Sequence, residues 1–269
     1  MGNKKKSNGI ADLYQNRRLI WKLAKNDFKK KYAGSYMGAL WALVQPVVTI
    51  ALYYVVFEYF MPGSRTADVN FVLFLTSGLV PWFFFSEAWN NGTNALREYD
   101  YLVKKVVFKI SILPVIKVTA ATFVHAFFIC ILLVVGSIYG YYPSIYTIQI
   151  LYYSFCLYIL VLALSYATSA IVVFFKDLSQ IITIVLQIGM WATPIMWPIS
   201  QLGDSTLGKI IRLNPMYYVV EGYRGSVYRK EWFFQNIYET LYFWGATLVL
   251  FAIGVTVFKR LKVHFADVL

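Results

Sequence analysis

Six apolar runs divide the chain, at residues 37–61, 71–89, 110–139, 148–175, 178–197 and 237–258. They are continuous rather than alternating, which excludes half-buried strands and predicts helices. Each is close to or longer than the ~20 helical residues that cross a bilayer core. A further stretch, 198–236, is half apolar yet broken by Gly203, Gly208, Pro215, Gly222 and Gly225. It is too interrupted for a span and too apolar for a solvated loop, so the pattern predicts a re-entrant hairpin whose turn is covered by protein. Within it, Pro215 suits the first turn of a helix capped by Asn214, and Glu221 and Arg224 stand three apart, where they can pair on one face. Pro46 and Pro81 should kink their spans, while Pro194 and Pro198 should end the fifth.

Ahead of the first run, residues 10–32 show a different period. Ile10, Leu13, Tyr14, Ile20, Trp21, Ala24, Phe28 and Tyr32 share one side of a helical wheel, with Arg18, Lys22, Lys25 and Lys29 in a stripe beside them. That pattern describes a helix lying in a membrane interface. The next residues, Gly34-Ser35-Tyr36-Met37-Gly38, read as a flexible joint leading into the first span.

Composition agrees with a polytopic membrane protein: 59% of residues are hydrophobic, 14% are charged and mean hydropathy is +0.58. The net charge of +12 does not imply nucleic acid, because the basic residues cluster at the ends of the apolar runs. That placement speaks of topology and anionic headgroups. Eighteen of the twenty-five Lys and Arg fall on one side if six helices cross, which puts both termini in the cytoplasm. Cys130 and Cys156 lie inside apolar runs, so neither a disulfide framework nor a metal site is expected. Residues 1–8 are polar and basic with no apolar core after them, so no cleavable signal peptide is expected.

Little in the chain suggests catalysis. Gly203-Asp204-Ser205-Thr206-Leu207-Gly208-Lys209 begins like a P-loop, but Ile210 stands where magnesium needs Ser or Thr, and no strand precedes it. Asn91-Gly92-Thr93 has glycosylation spacing at the cytoplasmic end of the second span, where it should go unused. Glu58, Glu87, Lys117 and His125 are ionisable groups within apolar runs. The first three lie near span ends and should pair or snorkel, and His125 should bond to a neighbouring helix. With no second acid at mid-depth, a proton-coupled carrier is disfavoured. The 97–108 connection carries Arg97, Glu98, Asp100, Lys104 and Lys105 and is long enough for a short helix along the membrane surface. Lys176 and Asp177 occupy a tight turn. Trp41, Tyr53, Tyr54, Trp82, Phe84, Trp191 and Trp197 offer rings that stack on sugars.

Several segments together resemble the ABC-2 type permeases of polysaccharide and teichoic acid exporters. They are Leu23-Ala24-Lys25-Asn26-Asp27-Phe28 with Ser35-Tyr36-Met37-Gly38-Ala39-Leu40-Trp41, then Gly78-Leu79-Val80-Pro81-Trp82. Phe175-Lys176-Asp177-Leu178, Pro194-Ile195-Met196-Trp197 and Asn214-Pro215-Met216-Tyr217-Tyr218-Val219-Val220-Glu221-Gly222-Tyr223-Arg224 follow in the same order. Lys109-Ile110 departs from the pattern where a Pro would follow Phe108. The resemblance implies a channel subunit of the bacterial cytoplasmic membrane: two copies of this chain with two copies of a separate ATPase that holds ATP and magnesium. The cargo it implies is a polymer on a polyprenyl diphosphate lipid. Arg17, Arg18, Lys22 and Lys25 would meet the diphosphate, and the seven aromatics would line the channel. Arg97, Glu98, Asp100, Lys104, Lys105, Lys176 and Asp177 would couple to the ATPase, with Asn214, Pro215, Glu221 and Arg224 forming an outer gate. The teichoic acid branch is the nearest match, with O-antigen or capsular polysaccharide, or a drug or small lipid, as the alternative.

Overall fold

A computed structural model describes residues 13–31, 36–60, 69–103, 109–203 and 205–268. Among them there is no strand. The main helices in order are α1 (Arg17–Lys31), α2 (Trp41–Val55), α3 (Phe71–Glu98), α4 (Leu113–Ile138), α5 (Gln149–Phe174), α6 (Leu178–Ala192), α7 (Thr206–Arg212), α8 (Pro215–Arg224) and α9 (Ile237–Leu261).

Four of these, with their flanking turns, are long and apolar enough to cross a membrane: Phe71–Glu98, Ile110–Ile138, Ile145–Phe174 and Phe233–His264. The first and fifth apolar runs form shorter apolar helices, Pro46–Val55 and Leu178–Ala192. α2 passes into a π-helical turn, Val56–Phe60; the side chain of Glu58 and residues 61–68 lie outside the described part. α6 stops at Ala192 because Thr193, with Pro194 next, takes an extended ψ of 136°, as a residue before proline prefers. α3 runs nine residues past the apolar stretch that ends at Trp89. Asn91-Gly92-Thr93 is therefore helical, and Gly92 is pressed against α5, where a Cβ would meet Ser165 Oγ at 2.3 Å. Of the 97–108 connection, Arg97 and Glu98 belong to α3 and Asp100–Val103 forms one helical turn; Lys104 and Lys105 lie outside the described residues.

α3 is the central post, touching α2, α4, α5, α6 and α8. α9 leans on α5 so closely that a Cβ on Gly254 would meet the Ala163 carbonyl at 2.5 Å, the close backbone approach that small residues allow between apolar helices. α1 lies across α4, burying Ile20 and Ala24.

The glycine-rich 203–209 stretch has a local structural use. Gly203 turns the chain with φ +50°, and Ser205 Oγ caps α7 by accepting from the Gly208 amide at 3.2 Å. Asn214 Oδ1 then accepts from the Met216 amide at 3.0 Å and starts α8, with Pro215 in its first turn. Asn214 Nδ2 donates to Thr193 Oγ1 at 3.0 Å, tying the turn between α7 and α8 to the end of α6. α8 buries Met216, Tyr217, Tyr218, Val219, Val220 and Tyr223. It ends in a π-helical turn, Gly225–Arg229, and Lys230 leaves it in the left-handed region at φ 57°.

Candidate functional site

An apolar bundle keeps charge only where it is paired, so the charged groups mark what the fold holds in place. They gather at two ends. At one, which we term the basic end, Lys117 of α4 is only 6% exposed. Its Nζ lies 2.8 Å from Asp27 Oδ1 of α1 and 2.5 Å from Glu98 Oε2 of α3. Tyr99 donates its hydroxyl to the same Asp27 oxygen at 2.8 Å, and its ring lies 5.1 Å from the ammonium. One cation thus ties the surface helix to two membrane helices. Lys31 at the end of α1 adds a bond to Glu87 of α3 at 2.5 Å.

At the other end, Arg224 of α8 is 1% exposed. Its Nη1 donates to the Pro194 carbonyl at 2.7 Å and to Glu221 Oε1 at 2.6 Å, and its Nη2 donates to the Ile195 carbonyl at 2.9 Å. The guanidinium lies 3.6 Å above the Phe74 ring. The Pro-broken end of α6 leaves two carbonyls without helical partners, and Arg224 supplies the donors. Glu221 is shared with Arg229 at 2.7 Å. Burial alone would raise the Glu221 carboxyl, but Arg224 and Arg229 beside it hold it below the ordinary carboxylate value.

Between the ends, His125 Nε2 meets Tyr223 Oη at 2.9 Å and Ser154 Oγ at 3.2 Å, and the latter two are 2.6 Å apart. This closed triangle joins α4, α5 and α8. The histidine is bonded through Nε2 to neighbouring helices, as its position in the sequence predicts.

The other residues singled out from sequence are dispersed. Arg17, Arg18, Lys22 and Lys25 are all exposed along α1, Arg17 lying over the Tyr14 ring at 4.3 Å. Lys176 and Asp177 are exposed in the turn between α5 and α6, which Ser179 ties to α3 by donating to Asn94 at 2.7 Å. That turn therefore sits at the same end as Arg97 and Glu98. Among the aromatics, Trp41 and Trp191 are exposed, and Tyr53 and Tyr54 are half-buried. Tyr53 Oη reaches Met190 Sδ at 3.9 Å, bringing α2 to α6, and Trp197 donates to the Trp191 carbonyl at 3.0 Å. Trp82 faces inward, lining a cleft of about 230 Å³ with Phe85, Trp89, Gly189 and Asn214. Phe84 is not at any such surface: it is core, 4% exposed and 4.6 Å from the His125 ring. Asp27 escaped the sequence reading, though its spacing from Ile20 and Ala24 places an acid on the buried face of α1, where only a pair would keep it.

The ABC-2 type transporter family matches residues 18–228. This chain belongs to that family. The ABC-2 match runs from α1 past the end of α8, so it contains the Asp27–Lys117 and Glu221–Arg224 pairs and the triangle between them, with Arg229 one residue beyond it. The O-antigen export system permease protein RfbA of Myxococcus xanthus is 30% identical over 82% of this chain and 85% of its own length. The protein of the same name from Klebsiella pneumoniae is 26% identical over 93% of this chain and 95% of its own length. The polysialic acid transport protein KpsM of Escherichia coli is 23% identical over 75% of this chain and 78% of its own length. As an ABC-2 chain this is a multi-pass membrane transporter subunit. Of these relatives, two are named as O-antigen export permeases and one as a polysialic acid transport protein, and none is named for teichoic acid.

Proposed function

We propose that this chain is the permease subunit of an ATP-driven exporter that moves a polyprenyl-diphosphate-linked polysaccharide, of O-antigen or capsular kind, across the bacterial cytoplasmic membrane. The observation that carries the reading is the near full-length similarity to permeases named for O-antigen export. Two copies would enclose the channel and work with two copies of a separate ATPase. α2 and α6 would complete six crossings, with α7 and α8 as a re-entrant hairpin at the outer face. The excess of Lys and Arg at the opposite end supports cytoplasmic termini.

In this reading the exposed Arg18, Lys22 and Lys25, with Arg17 beside them on the Tyr14 ring, would meet the lipid diphosphate, a charge-assisted contact suited to cations at an interface. Arg97, Glu98 and Asp100 and the Lys176–Asp177 turn, which the Ser179–Asn94 bond brings to one end, would receive the ATPase together with Lys104 and Lys105. Trp41, Tyr53 and Tyr54 on α2, Trp191 on the neighbouring α6 and Trp197 just after it are the rings available to a lumen, with Trp82 behind them. Arg224 and Glu221, fixed to the broken end of α6 with Asn214 and Pro215 at the turn before them, would set the outer gate.

A strain lacking this chain tests the reading. Surface polysaccharide should disappear while lipid-linked polymer accumulates on the inner face, as read by extraction and immunoblot, and the wild-type gene should restore it. Loss of a wall-bound polyol phosphate polymer with normal surface polysaccharide would return the teichoic acid reading.

A further inference from the structure

A groove of about 600 Å³ opens between α1, the start of α2 and the middle of α4. Its wall is apolar and aromatic: Trp21 and Phe28 of α1 pack on Phe123 of α4 with ring centroids 5.0 and 5.8 Å away, and Leu40 closes the other side. Two cations, Lys25 and Lys29, stand one helical turn apart on its edge, and among the described residues no acid lines it. The contrast with the neighbouring lysines is informative. Lys31 and Lys117 are matched by Glu87, Asp27 and Glu98, whereas neither Lys25 nor Lys29 forms an ion pair among the described residues. An apolar trough with unmatched cations along one rim is complementary to an anion that carries a hydrocarbon chain.

The groove is short for a long chain. At roughly 30 Å³ per heavy atom, the share a water molecule takes in the liquid, its volume matches about twenty such atoms, one acyl chain with its ester. The second chain of a phospholipid can stay in the bilayer, whereas the single chain of a polyprenol of several dozen carbons would run out of the groove for most of its length. We propose that the groove is a resident-lipid site for one anionic phospholipid of the surrounding bilayer, with an acyl chain on the Trp21–Phe123 floor and the phosphate between Lys25 and Lys29. Bound there, the lipid would bridge α1, α2 and α4 and fasten the surface helix at a point separate from the Asp27–Lys117 pair. The proposal does not depend on which polymer the exporter carries, but it takes Lys25 out of the set proposed for the lipid diphosphate and leaves that contact to Arg17, Arg18 and Lys22.

The test uses the purified full chain titrated with phosphatidylglycerol and followed by native mass spectrometry. One lipid should be retained in preference to phosphatidylcholine. Lys29→Gln should weaken retention about fivefold, the worth of one cation near a headgroup, and Ala42→Trp, which fills the groove, should abolish it. If Ala42→Trp does not fold, phosphatidylglycerol with brominated chains decides: it should quench tryptophan fluorescence in the wild type and do so less in Trp21→Phe. Equal retention of phosphatidylcholine, full retention in a folded Ala42→Trp, or equal quenching in Trp21→Phe overturns the proposal. So does displacement of phosphatidylglycerol by a polyprenyl phosphate, which would assign the groove to the cargo's carrier lipid. A failed export assay with intact lipid retention would reject only the exporter reading.

Discussion

Single side chains decide where the apolar helices are pinned. Lys117 is almost wholly buried, and the energy of its cluster lies mainly in the pair with Asp27, because Glu98 is half exposed and water screens its share. Removing one member of a buried pair strands the other. Lys117→Met should therefore lower stability by about 2–3 kcal/mol, read as earlier thermal unfolding in detergent, and Lys117→Met with Asp27→Leu should recover at least half of that loss. An unchanged melting temperature in the single variant would show that the pair contributes nothing. Glu221 gives a pH dependence of definite sign. Its carboxyl is held below its ordinary value of 4.5 by Arg224 and Arg229, so its contribution is complete above that value and is lost as pH falls through the lower, folded one. Hydrogen exchange over α8 should stay slow down to about pH 5 and quicken below pH 4.5. In Glu221→Gln this acid-induced step should vanish; its persistence would assign the transition to another group.

Elements were legible in the sequence to different degrees. The long apolar runs became α3, α4, α5 and α9 because continuous apolarity and length leave no other structure in a bilayer. The Asn214 cap, Pro215 and the Glu221–Arg224 spacing locate α8 because capping and the three-residue pair are local. What stayed hidden is non-local. Asp27 and Lys117 are ninety residues apart, and nothing near either names the other. The true end of α3 also escaped, since its last turns are polar yet packed against α5 through Gly92. α8 is the element most dependent on such packing. A Cβ on Gly222 would lie 2.0 Å from Tyr153 Cε1, and that ring is itself wedged against Tyr152 and Tyr218. Gly222→Ala should cost about 1–3 kcal/mol as an overpacked contact and loosen α8, read as faster exchange at Val219 and Val220. A variant as stable as the wild type would mean that Tyr153 moves aside freely.

For the whole molecule, orientation is the property most directly tested. With the hairpin outside, a cysteine at Ser205 should react with a membrane-impermeant thiol reagent added to intact cells, while one at the buried Val219 should be shielded. Labelling of the Ser205 variant only after permeabilisation would invert the topology and with it the assignment of the basic end to the cytoplasm. The fit of α9 on α5 bears on how such a molecule can move. Gly254 leaves no room above the Ala163 carbonyl, so sliding either helix along the other by even one residue brings a side chain into that gap. The two are keyed together like a tongue in a slot. A motion that opens a path for cargo would then carry α5 and α9 as one strut, and the next joint along the chain is the Phe175–Leu178 turn, where α6 begins.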